Sequence, residues 1–556
     1  MNLKKEKYLC CIFGGIIGIV SFIAIYGIKI LNPTYDEWIF NQNGDMVQHQ
    51  IGWMFFRNSD WSFPLGIIDG LSETETVTCV VTDCLPLFAI FFKLFSPLLP
   101  ETFQYFGIWA LICYIMQGVL SAAILRKLTS NTLFSLVGTI FFTTFSAVIE
   151  RFYHHDTLMA HWLILLAVFS FVYQNRKWKY RITPIIIWLV NGMLAVMIHS
   201  YFLPMIYMVM LGYIIVDVFE NKKYLRPVTT FLSTTVCSVA TMYVIGGFAD
   251  SGSMSGGGLG IFSANLNAFF NSFGDSKFLK PLNITGQQKE GYGYLGLGVI
   301  LLCIIAIMLI LYHTENKNGK LTENIKGFIK AHKIKITAIS VIIISSMYFA
   351  VFPRVTLNGR VLYTINYPDK IHDLLSIFRA SGRFIWVTDY FIILIALFIL
   401  SRLRKSAPKT IMSVLLFCIG VQLLDFSEYI KQTRNKFTTD MTYSLSSEFK
   451  SFNSITDSKK EFIFIPPRNS LMPPHKDLYE FAYYSSENDM QMSTFYLARN
   501  DNERLSKYIS NQLELLEKNE INENAVYVFY DKTMISDKLD NIETYDFERY
   551  TLLTAK

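Results

Sequence analysis

CLPLFAIFFKLFSPLLP, residues 84–100, is apolar enough to enter a bilayer, and whether it crosses decides the topology of the whole chain. The block is short, carries Lys93 and is interrupted by Pro86, Pro97 and Pro100. A helix needs about 20 apolar residues to cross hydrocarbon, and proline in its interior removes a backbone bond. The distribution of positive charge supplies the test, because Lys and Arg accumulate on the cytoplasmic side. With the block lying flat, segments 1–7, 126–130, 175–181, 220–226, 314–335 and 402–409 hold 22 Lys/Arg in 56 residues. The opposite loops, 31–101, 150–158, 200–202, 248–292 and 353–384, hold 11 in 160. Making the block a span would reverse everything after it and put the basic clusters outside. The expectation is therefore an amphipathic helix on the outer face of the membrane.

Outward from this block the chain is 52% hydrophobic and only 17% charged, with a mean hydropathy of +0.33. Soluble domains carry about a quarter charged residues, so the composition predicts an α-helical polytopic membrane protein. Eleven spans are expected, near 8–30, 102–125, 131–149, 159–174, 182–199, 203–219, 227–247, 293–313, 336–352, 385–401 and 410–425. The first follows Lys4, Lys5 and Lys7 and is long for a signal peptide, so it reads as a retained helix with a cytoplasmic N-terminus. Residues 1–425 then form a membrane module with a large outer loop at 31–101. Residues 426–556 turn polar, and strand-like EFIFIPP (461–467) and NAVYVFY (524–530) flank a helical stretch at 501–518. That pattern predicts a small extracytoplasmic α/β domain.

Several functions are disfavoured at this level. The net charge of +6 comes without a basic tract, which argues against nucleic-acid binding. The eight cysteines show no metal-type spacing; Cys79 and Cys84 share the outer loop, and their separation allows a disulfide without requiring one. The span interiors hold few ionisable groups, Gln117 and Asn191 being among the few polar side chains at depth. Ion-coupled transporters usually carry charged sites near the midplane, so polarity gathered at one face favours surface chemistry.

Four outer segments carry that polarity. The first loop holds eight carboxylates between Leu31 and Asp83 (Asp36, Glu37, Asp45, Asp60, Asp69, Glu73, Glu75, Asp83) against one base, Arg57. Asp45 opens a run in which Asp45, Gln48, His49 and Gly52 share a helical face among interfacial aromatics, where a carboxylate can be tuned as a base. The loop ERFYHHDTLMAHW gathers His154, His155, Asp156 and His161 at the mouth of two spans, and His199 ends another. Such imidazoles suit phosphate contact or, with Asp156, a divalent metal; the bland reading is anchorage of helix ends. FRASGRF (378–384) puts Arg379 and Arg383 four apart, on one face if helical, and guanidinium forks match phosphoryl oxygens. In GQQKEGYGYLGLG (286–298), Tyr292 and Tyr294 are candidates for stacking on a sugar ring.

The large acidic first outer loop, the interfacial helix, about eleven spans and an outer C-terminal domain resemble the GT-C class of polytopic glycosyltransferases. The segments GDMVQHQIGWMFF, WSFPLG, TDCLPL, PETFQYFGIWALICYIMQG, HDTLMAHWLIL, IHSYF, GYGYLGLG and FRASGRFIW look like an incompletely characterised bacterial membrane family placed in that class. The resemblance implies a polyprenyl-phosphate-linked sugar donor, an extracytoplasmic acceptor (glycan, lipid or protein), and inversion at the anomeric carbon. It implies a general base in the first outer loop, which maps first onto Asp45 and second onto Asp36, with Asp83 as a supporting acid. Arg379, Arg383, His155, His161, His199 and Tyr292 are then expected around the donor. No WWDYG-type motif is present, which disfavours protein N-glycosylation. A flippase or transporter of a lipid-linked saccharide and a non-catalytic membrane assembly factor are the alternatives.

Overall fold

The computed structural model describes residues 3–42, 44–174, 183–249, 258–315, 321–404, 407–466, 476–497 and 502–556. It divides into two compact units: Met1–Pro33, Tyr105–Val239 and Ser255–Thr439 form the first, and Thr34–Gln104, Ala240–Met254 and Asp440–Lys556 the second.

The first unit is a helical bundle. Among the described residues, eight helices of the chain are long and apolar enough to cross a membrane, Lys5–Tyr26 first and Pro408–Asp425 last. Three further apolar helices, Asp156–Val172, Thr183–Ile198 and Leu297–Tyr312, are shorter. Eight of the eleven expected spans fall on these helices, and the other three, near 159–174, 182–199 and 293–313, fall on the shorter ones. The leading helix packs backbone to backbone on Phe106–Thr129. A Cβ on Gly14 would stand 2.5 Å from the Gly118 carbonyl oxygen, and one on Gly18 would stand 2.1 Å from that of Tyr114. Small residues four apart permit this approach, which is how helices associate where apolar burial gives no drive. The other side of the same helix exposes Ile12, Phe13, Ile16 and Val20, a surface suited to lipid.

The second unit joins the acidic loop and the tail. Its five-stranded sheet runs Gln491–Met492, Glu461–Ile465, Ala525–Phe529, Thr551–Ala555, Ile542–Asp546 across its width. Glu461–Ile465 and Ala525–Phe529 pair in parallel, Glu461 opposite Ala525, and between them in sequence lie the helix Lys476–Glu487, the edge strand Gln491–Met492 and the helix Asn502–Glu517. Ile463, Ile465, Tyr527, Phe529 and Leu553 pack with Leu516 of that helix in a hydrophobic cluster. The loop helix Asp45–Asn58 is held to the same unit, Gln48 donating to the Tyr496 carbonyl (3.0 Å) and Tyr479 donating to that of Gly44 (3.1 Å).

Within 84–100 the only regular helix is Pro86–Lys93, followed by a 3-10 turn at Ser96–Leu98. Eight residues extend about 12 Å, far short of a span. Phe91, Leu94, Phe95 and Leu98 are exposed along it, whereas Lys93 is buried with its ammonium over the Phe56 and Trp61 rings and bonded to the Asp60 carbonyl. Cys79 and Cys84 are both buried free thiols.

Candidate functional site

In the first unit a cluster of charge forms where three segments meet. Arg151 lies near the end of the helix Ser146–His154, Glu290 in a 3-10 turn at Gln288–Gly291, and Arg383 in another at Ser381–Phe384. Two glycines bring the last two together. A Cβ on Gly291 would fall 2.5–2.6 Å from the backbone of Gly382, so only glycine allows the turns to touch there. Glu290 Oε2 consequently accepts from both guanidiniums, 3.0 Å from Arg151 Nη1 and 2.7 Å from Arg383 Nη2. Burial alone would raise this carboxyl, but the two arginines outweigh it and hold the pKa down to about 2. Behind this centre Lys289 bridges Glu150 (3.2 Å) and Asp275 (3.5 Å), and Tyr429 donates to Glu150.

Arg383 also lies over the ring of Tyr201, 4.7 Å from its centroid. Tyr201 packs edge-on against Phe378 and lies beside Phe384, and its hydroxyl accepts from the Ala380 amide. His199 is next, its ring 5.4 Å from Tyr201 and 5.2 Å from His155. Phe378, Ser381 and Phe384 line an apolar cavity of about 630 Å³, together with Tyr207, Phe231 and Phe349. Tyr201 and Arg383 thus neighbour residues that line an apolar cavity, with His199 beside Tyr201 and Arg151 joined to Arg383 through Glu290. That combination matches an amphiphile with an anionic head.

The sequence-based candidates distribute unevenly around this centre. Arg383, His155 and His199 belong to it. Arg379 does not share a helical face with Arg383, because 378–384 is a turn rather than a helix; its guanidinium lies 5.8 Å from the Phe262 centroid, and its charge, like that of Arg383, acts on the Tyr201 phenol. His161 points into the bundle, its Nδ1 2.9 Å from the Tyr390 hydroxyl and its ring against Trp386, while Gln117 donates to the same hydroxyl. Tyr292 is fully buried and donates to the Ser272 carbonyl, so it offers no face to a sugar. His154 turns to Glu150 at 3.3 Å, so the histidines of 150–161 are directed to different partners. Sequence reading overlooked Arg151, although the argument that singled out Arg379 and Arg383, positive charge on the disfavoured side, applied to it equally. It also overlooked Asp389, fully buried in a span, whose two carboxylate oxygens have no hydrogen-bond partner among the described residues.

The second unit holds the carboxylate candidates. Asp36 is 7% exposed and precedes the short helix Glu37–Phe40 without capping it through its side chain. Burial, reinforced by Glu37 and Glu487, raises its pKa from 3.8 to about 7. It lines a polar cavity of about 520 Å³ with Trp53, Arg57, Glu101, Tyr483 and Glu487. Asp45 sits in the first turn of Asp45–Asn58, where a carboxylate complements the exposed amides, and does not line that cavity. Asp83 lies in a turn with φ 52°, just before Cys84 and Leu85.

These features define a helical membrane protein with an Arg–Glu–Arg cluster in one unit and an acidic pocket in the other. The chain belongs to the family described as Domain of unknown function (DUF6311), which matches residues 15–427, and the DUF6311 C-terminal domain matches residues 452–554. No curated protein matches the chain.

Proposed function

We propose that the protein is a GT-C-type glycosyltransferase that moves a sugar from a polyprenyl-phosphate donor to an acceptor outside the cytoplasmic membrane. The observation that carries this reading is the Arg151–Glu290–Arg383 centre beside an apolar cavity, since a lipid phosphate needs both a cationic fork and a dry groove. In this reading the three shorter apolar helices complete an eleven-span bundle, with the N-terminus cytoplasmic and the tail outside.

Asp36 takes the role of base in preference to Asp45. A carboxyl with a pKa near 7 is matched to proton removal at neutral pH, and its side chain caps no helix. Asp36 accepts the acceptor hydroxyl's proton as that oxygen bonds to the anomeric carbon with inversion. The bond from that carbon to the phosphate oxygen breaks, and its electron pair stays on the departing lipid phosphate. Within the first unit, Arg151 and Arg383, with His155 and His199 near them, supply the cationic groups that suit a lipid phosphate.

The test is native mass spectrometry of the full chain in vesicles containing polyprenyl phosphate. Retention of the lipid by the wild type, with about tenfold weaker retention in Arg383→Ala, is the expected result. Equal retention by both removes the arginine centre from donor binding.

A further inference from the structure

Residues 354–376 of the first unit carry apolar surface that the rest of the chain leaves uncovered. The helix Lys326–Val351 ends just before them, and Pro353 disfavours helix at the residue it follows. The next long apolar helix opens at Ser381. Between the two the chain makes an antiparallel ribbon, Arg354–Leu357 with Arg360–Thr364, and the eight-residue helix Asp369–Ser376. Neither is long enough to cross hydrocarbon, so both ends of the segment meet the bilayer at one face.

The ribbon is pinned along one strand. Leu266 donates its amide to the Thr356 carbonyl (3.0 Å), and Gln288 Nε2 donates to Thr356 Oγ1 (2.7 Å). On the other strand all five residues of Arg360–Thr364 are exposed, Leu362 by 55% and Tyr363 by 62%. Side chains alternate along a strand, so Val361 and Tyr363 lie on one face and Leu362 on the other. A ribbon bathed by water keeps a polar face, whereas this strand offers apolar residues on both. The helix repeats the pattern: Ile371 and Leu374, three apart and so on one side, are exposed.

A second observation says what covers this surface. Tyr348 and Phe349, in the last turn of Lys326–Val351, are exposed, and they line the apolar cavity together with Tyr367 and Leu374 of the segment. Tyr348 and Tyr367 also meet hydroxyl to hydroxyl at 3.1 Å. The exposed apolar face of the membrane helix therefore continues onto the segment, and the medium around one is the medium around the other. Arg354, Arg360 and Lys370 are interspersed with Tyr363 and Tyr367, the mixture of bases and tyrosines that anchors chains at head-group level.

We infer that residues 354–376 form a lipid-binding platform: ribbon and helix lie in the interfacial layer of the bilayer, with phospholipid chains against Val361, Leu362, Tyr363, Ile371 and Leu374. The platform sets the mouth of the apolar cavity at head-group depth. The inference stands on this surface and needs no sugar transfer, so it and the transferase proposal fail independently.

The test is tryptophan emission from the full chain in vesicles of phosphatidylcholine with brominated acyl chains, because bromine quenches only at short range. Leu362→Trp and Ile371→Trp report from the ribbon and the helix, and the wild type supplies the emission of the eight native tryptophans for subtraction. Val236→Trp, at an exposed position of the helix Leu225–Val244, sets the scale for a lipid-facing residue. At both platform positions brominated lipid should remove at least about half as much of the added emission as it removes at Val236, interfacial helices lying about 5–10 Å into the boundary. Weaker quenching at either position overturns the inference. Aqueous iodide then tells which occupant replaces lipid: added emission that iodide quenches faces water, and emission shielded from both is covered by a second copy of the chain.

Discussion

Replacing Asp36 by asparagine should abolish sugar transfer and, at the same time, make the protein more stable above neutral pH. Asp36 holds its proton to about pH 7 in the folded chain, against 3.8 for the unperturbed group. A raised carboxyl pKa means the folded state binds more protons than the unfolded state between those values, so stability falls as pH rises through the window. Below about pH 4 both states are protonated and the residue costs nothing. Above about pH 7 the full cost applies: roughly three units at ~1.36 kcal/mol each, a ceiling of about 4 kcal/mol. Water reaching the open pocket reduces this to about 2–4 kcal/mol. Asparagine carries no charge at any pH and escapes the penalty. Thermal or denaturant unfolding of the two proteins at pH 4.5 and pH 8 measures the difference directly. Asp36→Asn should match the wild type within about 1 kcal/mol at the lower pH and exceed it at the higher. An equal gap at both pH values, or a wild type more stable at pH 8, would show that Asp36 is not a desolvated acid and refute the base assignment.

Further outcomes follow from the same geometry. The transfer rate should rise with pH through about 7 as Asp36 loses its proton, and a rate flat from pH 5 to 9 would remove it as the base. Glu290→Gln frees two guanidiniums from a competing carboxylate, so polyprenyl-phosphate retention should increase about tenfold, at a cost of about 1–3 kcal/mol in stability. Weaker retention would mean that Glu290 itself contacts the donor. Gly382→Ala should cost at least about 2 kcal/mol, because the added methyl would lie 2.6 Å from the Phe262 carbonyl oxygen; near-neutral stability would contradict the close approach of the 381–384 turn to Phe262. Leu375→Trp narrows the apolar cavity and should reduce transfer from a long-chain donor more than from a short-chain one, compared as kcat/KM.

Much of the architecture is legible in the sequence because it depends on local pattern. Proline and lysine within 84–100 forbid a span, and the chain there forms only the eight-residue Pro86–Lys93 helix. EFIFIPP and NAVYVFY alternate with a helical period, and they pair in parallel with Asn502–Glu517 between them in sequence. Span positions are legible too: the stretch read as 182–199 is the helix Thr183–Ile198. The candidate site divides along the same line. Single residues at helix ends, such as His155 and His199, follow from position alone. The partnership of Arg383 with Arg151 does not, because it depends on Gly291 and Gly382 touching across a gap of about ninety residues that no local pattern records. Helical spacing proposed Arg379 as the partner, but the turn at Ser381–Phe384 breaks the period. The choice between Asp36 and Asp45 likewise turns on burial and like charge in the fold, which charge counts along the chain cannot separate.

The most direct measurement is the mass spectrum of cell-envelope glycans and lipids from cells lacking the protein and from the same cells restored with wild type or Asp36→Asn. Sugar transfer predicts that one glycan loses a single sugar unit without the protein, regains it with wild type, and stays short with Asp36→Asn present at normal level. Identical spectra in all three, or full restoration by Asp36→Asn, would contradict the account.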